Sequence, residues 1–365
     1  MMRKSIDKSF FFVVIVLVLG GLLIFTSASL SLLARQGANF YGIAFNHIVF
    51  GLLGGMLAAY LISKVPYQFL KKYSPYFFIF SIILTLLVFV PHIGLKSNGS
   101  YRWISIFGKT FQPSEVLKIA TILFMAALFS NLKDKVQTIK YGLSSFLAVA
   151  AGIAIIFGAQ PDTATFAILC VPLLAMFFSA GGKMKHIGVI MLFGLVVFAV
   201  LVFTKPYLRA RIETFIHPAN NSLDSGYQIQ QSLIAIGSGG MTGRGFGQSL
   251  QKFNFLPEAI SDSIFAVASE EFGFIGSVII VILFVWFAVR GLKIASRVHD
   301  SFGRLTVIGI VILLTMQAFV NIAAMLGIIP LTGEPLPFIS QGGTALLFEF
   351  IAVGIILNIS KYQKV

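Results

Sequence analysis

Charge is what this sequence has least of. Only 11% of its 365 residues are Asp, Glu, Lys or Arg, and 57% are hydrophobic. Soluble domains carry about 25% charged and about 45–50% apolar residues. So little charge cannot cover a water-soluble globule of this size, and a mean hydropathy of +0.93 agrees. Soluble-enzyme, secreted-scaffold and disordered classes are excluded, which leaves a polytopic membrane protein. Cysteine is nearly absent as well. The single Cys170 lies in an apolar run, so no disulfide framework and no cysteine-based metal site can form. The histidines, at 47, 92, 186, 217 and 299, are dispersed and build no zinc motif. The net charge of +14 is spread between apolar runs rather than clustered. That distribution argues against a nucleic-acid partner and for membrane orientation.

A hydrocarbon core of about 30 Å needs roughly 20 helical residues to cross it. Runs that qualify occupy 10–32, 43–63, 76–90, 113–132, 143–159, 164–180, 186–203, 264–289, 305–327 and 343–360. The fifth and sixth are separated by Gln160-Pro161-Asp162. As one helix they would place a Pro-Asp pair at mid-membrane, so two spans joined by a tight turn are expected. The expectation is an all-α protein of ten transmembrane helices, a single domain over 1–365. The first run follows Arg3, Lys4 and Lys8 but exceeds the length of a signal-peptide core and has no cleavage site, so it reads as a retained helix.

Lys and Arg set the orientation. The segments on the side of the termini hold Arg3, Lys4, Lys8, Lys64, Lys71, Lys72, Lys133, Lys135, Lys140, Lys183, Lys185, Arg290, Lys293, Arg297, Arg304, Lys361 and Lys364. The opposite segments hold Arg35, Lys96, Arg102, Lys109, Lys205, Arg209, Arg211, Arg244 and Lys252. Cations gather on the cytoplasmic side, so both termini are expected inside. The acids run the other way. Asp162, Glu213, Asp224, Glu258, Asp262 and Glu334 are in outer segments, and Glu115 is at the outer end of the fourth helix. Acids contribute little to topology, so an outer polar site and a solvated outer surface are both open explanations.

The one long connection, about 59 residues over 205–263 between the seventh and eighth helices, is the segment in which function is expected. Its centre, Gly237-Ser-Gly-Gly-Met-Thr-Gly-Arg-Gly-Phe-Gly247, could form an anion nest or a flexible turn. Asp262 immediately precedes an apolar helix. It could be an N-terminal cap, or a partly desolvated carboxylate tuned as a general base. Glu115 and Lys118, three apart on one helix face, could be a structural lock or line a cavity. Arg102 lies among Tyr101, Trp103 and Phe107, as in an interfacial segment near headgroup phosphates. Glu270, Glu271 and Glu349 fall inside apolar helices and must face protein or water.

Several motifs together resemble the SEDS proteins (shape, elongation, division and sporulation). They are Asn98-Gly-Ser-Tyr-Arg-Trp-Ile, Phe111-Gln-Pro-Ser-Glu-Val-Leu-Lys118, Gln160-Pro-Asp162 and the run Gly226–Gly240. Further on come Leu256-Pro-Glu-Ala-Ile-Ser-Asp-Ser-Ile-Phe-Ala266, Glu270-Glu-Phe-Gly-Phe-Ile-Gly276 and Pro335-Leu-Pro-Phe-Ile-Ser-Gln-Gly-Gly343. Gln248-Ser-Leu-Gln-Lys252 and the Leu-Pro-Glu-Ala stretch look more like the cell-division branch, FtsW, than the elongation branch, RodA. The chain departs from the family pattern at Ile260-Ser261, where His-Thr is usual, and at Ser263 and Gln341, where Phe and Tyr are common.

The resemblance implies a peptidoglycan glycosyltransferase of the bacterial cytoplasmic (inner) membrane. Its substrate would be lipid II at the outer leaflet and its leaving group undecaprenyl pyrophosphate. It further implies Asp262 as general base and Arg102, Lys118 and Arg209 or Arg211 as cations neutralising the diphosphate. Glu115 would position Lys118, and Asp162 and Glu258 would line the cavity. A divalent cation, Mg or Mn, would be accommodated, with no organic cofactor. The partners implied are a class B penicillin-binding protein, other divisome proteins and membrane lipid. Two other readings stand beside this one: a lipid II flippase or ion-coupled carrier, and a non-catalytic scaffold for the transpeptidase.

Overall fold

The computed structural model describes residues 5–34, 40–97, 100–106, 109–217, 225–253 and 255–363. Arg3, Lys4, Arg35, Asn98, Gly99, Phe107, Asp224, Asn254 and Lys364, used above, lie outside them. Thirteen α-helices follow in order: α1 (Lys8–Ala34), α2 (Phe40–Phe45), α3 (Gly54–Lys64), α4 (Tyr67–Leu86), α5 (Pro113–Leu132), α6 (Ser144–Ala159), α7 (Thr163–Ser179), α8 (Met184–Thr204), α9 (Pro206–Ile216), α10 (Ser225–Ser238), α11 (Ile264–Arg297), α12 (Ser301–Met325) and α13 (Gly343–Ser360). A π-helical stretch, Asn46–Leu53, joins α2 to α3, so that Phe40–Lys64 is one continuous span.

Among the described residues, nine helices are long and apolar enough to cross a membrane, and α7 is a shorter apolar helix of 17 residues. Each apolar run of the sequence overlaps one of these. The third begins nine residues earlier than expected, at Tyr67, and carries Pro75 in its interior. A proline there removes the bond to the carbonyl four residues back; the Ser74 hydroxyl meets that carbonyl, on Lys71, at 3.0 Å.

Helices α5, α12 and α13 are apolar on every side and buried through most of their length, as expected at a bundle's centre. Around them α4 packs on α5, α7 on α12, α3 on α13, and α1 and α12 on α11. Helix α8 has no fully buried residue and touches the core only lightly, through Ile187 and Ile190.

The helical bundle carries one small sheet. The segment between α4 and α5 forms a three-stranded antiparallel sheet, β1 (Gly94–Ser97), β2 (Ser100–Ile106) and β3 (Lys109–Phe111), in that spatial order. Alternation over Ser100-Tyr-Arg-Trp-Ile carried this signal, with Ser100 and Ile104 buried and Tyr101 exposed. The long connection is likewise not a bare loop, since it contains α9 and α10.

The eighth span is also not one helix. Gly273, at φ 66° and ψ −162°, breaks α11, leaving a short buried segment before the long one. A break strands the carbonyls before it and the amides after it, and at membrane depth these need protein partners. The glycine run supplies them. Arg244 and Gly245 donate their amides to the carbonyls of Glu270 and Glu271, both at 3.0 Å. Phe274 and Ile275 donate theirs to Gly240 (2.8 Å) and Met241 (3.2 Å). These amides are therefore not free for an anion nest; the run is a splice across a helix break. A side chain on Gly273 would meet the amide nitrogen of Gly243 at 2.3 Å.

Candidate active site

Three chain segments converge on one polar cluster. The first is the sheet, which carries Arg102 on its central strand. Arg102 does not sit free at an interface as its aromatic neighbours suggested. Its Nη2 donates to the Pro161 carbonyl at 2.7 Å, and its Nη1 lies 3.8 Å from Asp162 Oδ1. The tight turn expected at Gln160-Pro161-Asp162 is present between α6 and α7, and it brings the buried Asp162 to Arg102.

The second segment is the start of α5. Glu115 and Lys118 are both buried and pair at 2.8 Å, so the spacing of three does place them on one face. Lys118 Nζ also donates to Gln317 Oε1 at 3.2 Å. An ammonium this deep persists only with partners of this kind.

The third segment is the turn that ends in Asp262. Asp262 is not the helix cap: Ser263 holds that position, one residue later, and no side chain caps the helix. The Asp262 carboxyl is thus not consumed by the helix end. Its backbone is fixed instead. Asn321 Nδ2 donates to the Asp262 carbonyl and to the Glu334 carbonyl, each at 2.8 Å. Ser340 donates to the Ser261 carbonyl at 2.6 Å, and Gln341 N to that of Ile260 at 2.8 Å. Ser263 takes a bond from Gln228 Nε2 at 3.0 Å. Above the carboxyl stands Gly333, at φ 72°. A Cβ there would come within 3.5 Å of Asp262 Oδ2, so glycine both adopts the left-handed turn and leaves the oxygen open.

Burial pushes the Asp262 carboxyl up from 3.8 to about 7, and the nearby Glu258 carboxylate adds to the rise. The charges of Arg102 and Arg211 oppose it. Asp262 is nonetheless partly accessible. Glu258 is exposed, with Ser261 Oγ donating to its Oε2 at 2.6 Å. Arg211, on α9, is half-buried and feels Arg102, Asp162 and Asp262 electrostatically. Of the sequence-predicted residues, Asp262, Arg102, Asp162, Arg211 and Glu258 are therefore neighbours, with Glu115 and Lys118 behind them. Arg209 is not drawn in: it is exposed on α9, because residues two apart on a helix point to different faces.

Sequence reasoning missed Glu334, Asn321 and Gln317 as site residues. Glu334 is buried, accepts a hydrogen bond from the Thr165 hydroxyl, and feels Lys118, Asp162 and Glu115. Burial raises its carboxyl, with Lys118 opposing. Gln317 Nε2 donates to the Pro335 carbonyl at 3.2 Å. Two uncharged amides four residues apart in apolar α12 share a face, and that was the available signal. Among the described residues, no group of three or more His, Cys, Asp or Glu is arranged to hold a metal ion.

Residues 7–365 match the family of cell cycle proteins that groups FtsW, RodA and SpoVE. The stage V sporulation protein E of Bacillus subtilis (strain 168) is 37% identical over 310 residues, covering 85% of each chain. A probable peptidoglycan glycosyltransferase FtsW from Geobacter sp. (strain M18) is 35% identical over 363 residues, covering 99% of this chain and 98% of its own. In fold, a chain of a solved peptidoglycan synthase complex that coordinates polymerization and crosslinking aligns with a TM-score of 0.81 at 24% identity, covering 98% of both. The rod shape determining protein RodA of Thermus thermophilus aligns with a TM-score of 0.71 at 23% identity, covering 99% of both.

Proposed function

Because the chain belongs to the FtsW/RodA/SpoVE family of cell cycle proteins, we propose that it is a peptidoglycan glycosyltransferase that polymerises lipid II during cell division. In this reading it is a ten-span protein of the bacterial cytoplasmic membrane with both termini inside and the Asp262 cluster facing outward. One observation carries the proposal: Asp262, with a carboxyl raised to about 7, is partly accessible and feels the charges of two guanidinium groups, Arg102 and Arg211.

The chemistry follows from those groups. The growing glycan passes from its lipid diphosphate to the 4-hydroxyl of an incoming lipid II. A carboxylate poised near neutrality can take that hydroxyl's proton as attack begins. The diphosphate is already a competent leaving group, so one carboxylate suffices, unlike the pair that glycosidases use. Arg102 and Arg211 are placed to neutralise the charge that develops on departure. Lys118, held by Glu115 and Gln317, is too buried to reach far and sets the field under the site. Asp162 Oδ1 has no hydrogen-bond donor and would be the oxygen to hold a divalent cation. Such an ion would supply further charge neutralisation when bound. A class B penicillin-binding protein is the transpeptidase partner in this reading, along with other divisome proteins.

The test is purification with the cognate partner, followed by lipid II polymerisation with the wild type and with Asp262→Asn. Long glycan strands from the wild type and none from the variant are expected. Strands of normal length from Asp262→Asn would sink the proposal. Transbilayer movement of labelled lipid II without any strands would favour a flippase, and strands surviving every outer carboxylate substitution a scaffold.

A further inference from the structure

Glu115 and Lys118 stand at one end of α5; at its other end, α4 and α5 line an open-sided cavity of about 430 Å³ that the proposed reaction does not use. Ligand sites typically span about 300–1,000 Å³. Its origin is local. Pro75 lines the cavity from the interior of α4, and a proline there leaves the carbonyl four residues back without its helical amide partner. On the facing helix, Ala127 offers only a methyl group to fill the space.

The floor is apolar and rigid. Phe124 and Leu128 form it with Ala127, and the Phe124 ring is held by Phe78, stacked at 4.7 Å between centroids and 4° between planes. The rim is of a different chemistry. Lys71 and Lys72 supply two ammonium groups, and Gln68 and Asn131 supply two amides. Among the described residues, no carboxylate lines the cavity. Lys71 is half-buried. Lys72 Nζ stands 5.6 Å from the centroid of the Tyr73 ring.

These two halves restrict the ligand. A small soluble anion would neutralise the lysines and leave the floor empty. A neutral apolar molecule would fill the floor and leave two cations unmatched. An amphiphile with an anionic head satisfies both. The cavity also opens at the end of the bundle where Lys and Arg are concentrated, and basic pockets between helices on that face commonly take anionic headgroups.

We propose that the α4–α5 cavity binds one anionic glycerophospholipid. Its phosphodiester lies between Lys71 and Lys72, Gln68 and Asn131 donate to the remaining oxygens, and one acyl chain lies along Phe124, Ala127 and Leu128.

The test uses the full-length protein in mild detergent, titrated with phosphatidylglycerol or phosphatidylcholine and read by native mass spectrometry. One tightly retained phosphatidylglycerol is expected, with phosphatidylcholine lost at lower activation energy. Each lysine removed should lower retention roughly fivefold, so Lys71→Gln with Lys72→Gln should abolish the selectivity. Lys183→Gln with Lys185→Gln, on the same side but away from the cavity, should leave it intact. Ala127→Leu keeps both cations and fills the floor. It should also expel the lipid, and it separates a cavity from a merely basic rim. Equal retention of the two lipids, equal loss in the Lys183/Lys185 variant, or full retention in Ala127→Leu would each overturn the proposal.

Discussion

Asn321 holds the backbone of Asp262: its side-chain amide nitrogen lies 2.8 Å from the Asp262 carbonyl and, with its second hydrogen, 2.8 Å from that of Glu334. One amide thus fixes the spacing of the turn that carries the carboxyl relative to the loop that overhangs it. Asn321→Ala removes both donors and leaves two buried carbonyls unmet, at a cost of about 1–3 kcal/mol each. It should lower the unfolding temperature. A carboxyl displaced by about 1 Å can lose roughly 10²-fold in rate. Lipid II polymerisation should fall by about that factor, and Asn321→Gln, which keeps the donor, should recover part of it.

Asp262→Asn separates catalysis from stability. Removing a general base costs about 10²–10⁴-fold in rate. Stability should move the other way. The folded carboxyl holds its proton up to about pH 7, whereas the ordinary value is 3.8. Between those values the folded chain binds more protons than the unfolded one, so the wild type loses stability as pH rises from about 4 to about 7. The amide does not titrate. Thermal unfolding should therefore show Asp262→Asn more stable than the wild type at pH 8, with the gap closing below pH 4. A variant less stable than the wild type at pH 8 would contradict the burial argument.

Much of this site was legible in the sequence. The spacing of Glu115 and Lys118 dictates a shared helix face wherever the helix lies, and Gln160-Pro161-Asp162 cannot continue a helix, so the turn was forced. What was not legible depends on tertiary contact. Arg102 looked interfacial because its aromatic neighbours did; only the pairing of β1, β2 and β3 into a sheet turns it towards Asp162. The break at Gly273 was hidden because Phe272, Phe274 and Ile275 continue the apolar pattern on both sides of it, and the glycine run looked like a separate loop because its partners are 26 to 34 residues away. Glu334 could not be assigned from sequence, since its placement depends on Asn321 and Thr165 arriving from two other helices.

Glu258 tunes Asp262 through space. Its negative charge disfavours a second one on Asp262 and contributes to the rise of that carboxyl, while Arg102 and Arg211 pull it down. Activity needs the ionised carboxylate, so kcat/KM should rise with pH to a plateau, with a midpoint near 7. Glu258→Gln removes the repulsion and should move that midpoint to lower pH. Arg211→Gln removes an attraction and should move it higher. Opposite displacements from the two variants, in a pH profile of lipid II polymerisation, are the expected result. Displacements of the same sign would mean that Asp262 does not set the profile.

Lys252 is fully buried, and its Nζ lies 2.7 Å from Glu271 Oε1 and 3.0 Å from both Ser27 Oγ and the Gly247 carbonyl. Beside it Glu270 accepts from Ser249 Oγ at 2.6 Å and from the amides of Leu250 and Gln251, with Arg244 at 3.4 Å. This ionic knot joins α1, the helix break and the segment that leads to Asp262. Breaking one partner of such a pair strands a buried charge at about 3–5 kcal/mol, whereas replacing both by apolar groups is often close to neutral. Lys252→Met alone should thus be severely destabilising. Lys252→Met with Glu271→Met should regain most of the unfolding temperature, a coupling that a double-mutant cycle measures directly. Activity should recover less than stability. The double variant restores packing but not the hydrogen bonds to Ser27 and Gly247 that fix where the segment begins, and a slack start at 252 carries through to the carboxyl at 262. Equal recovery of both would assign the knot to stability alone.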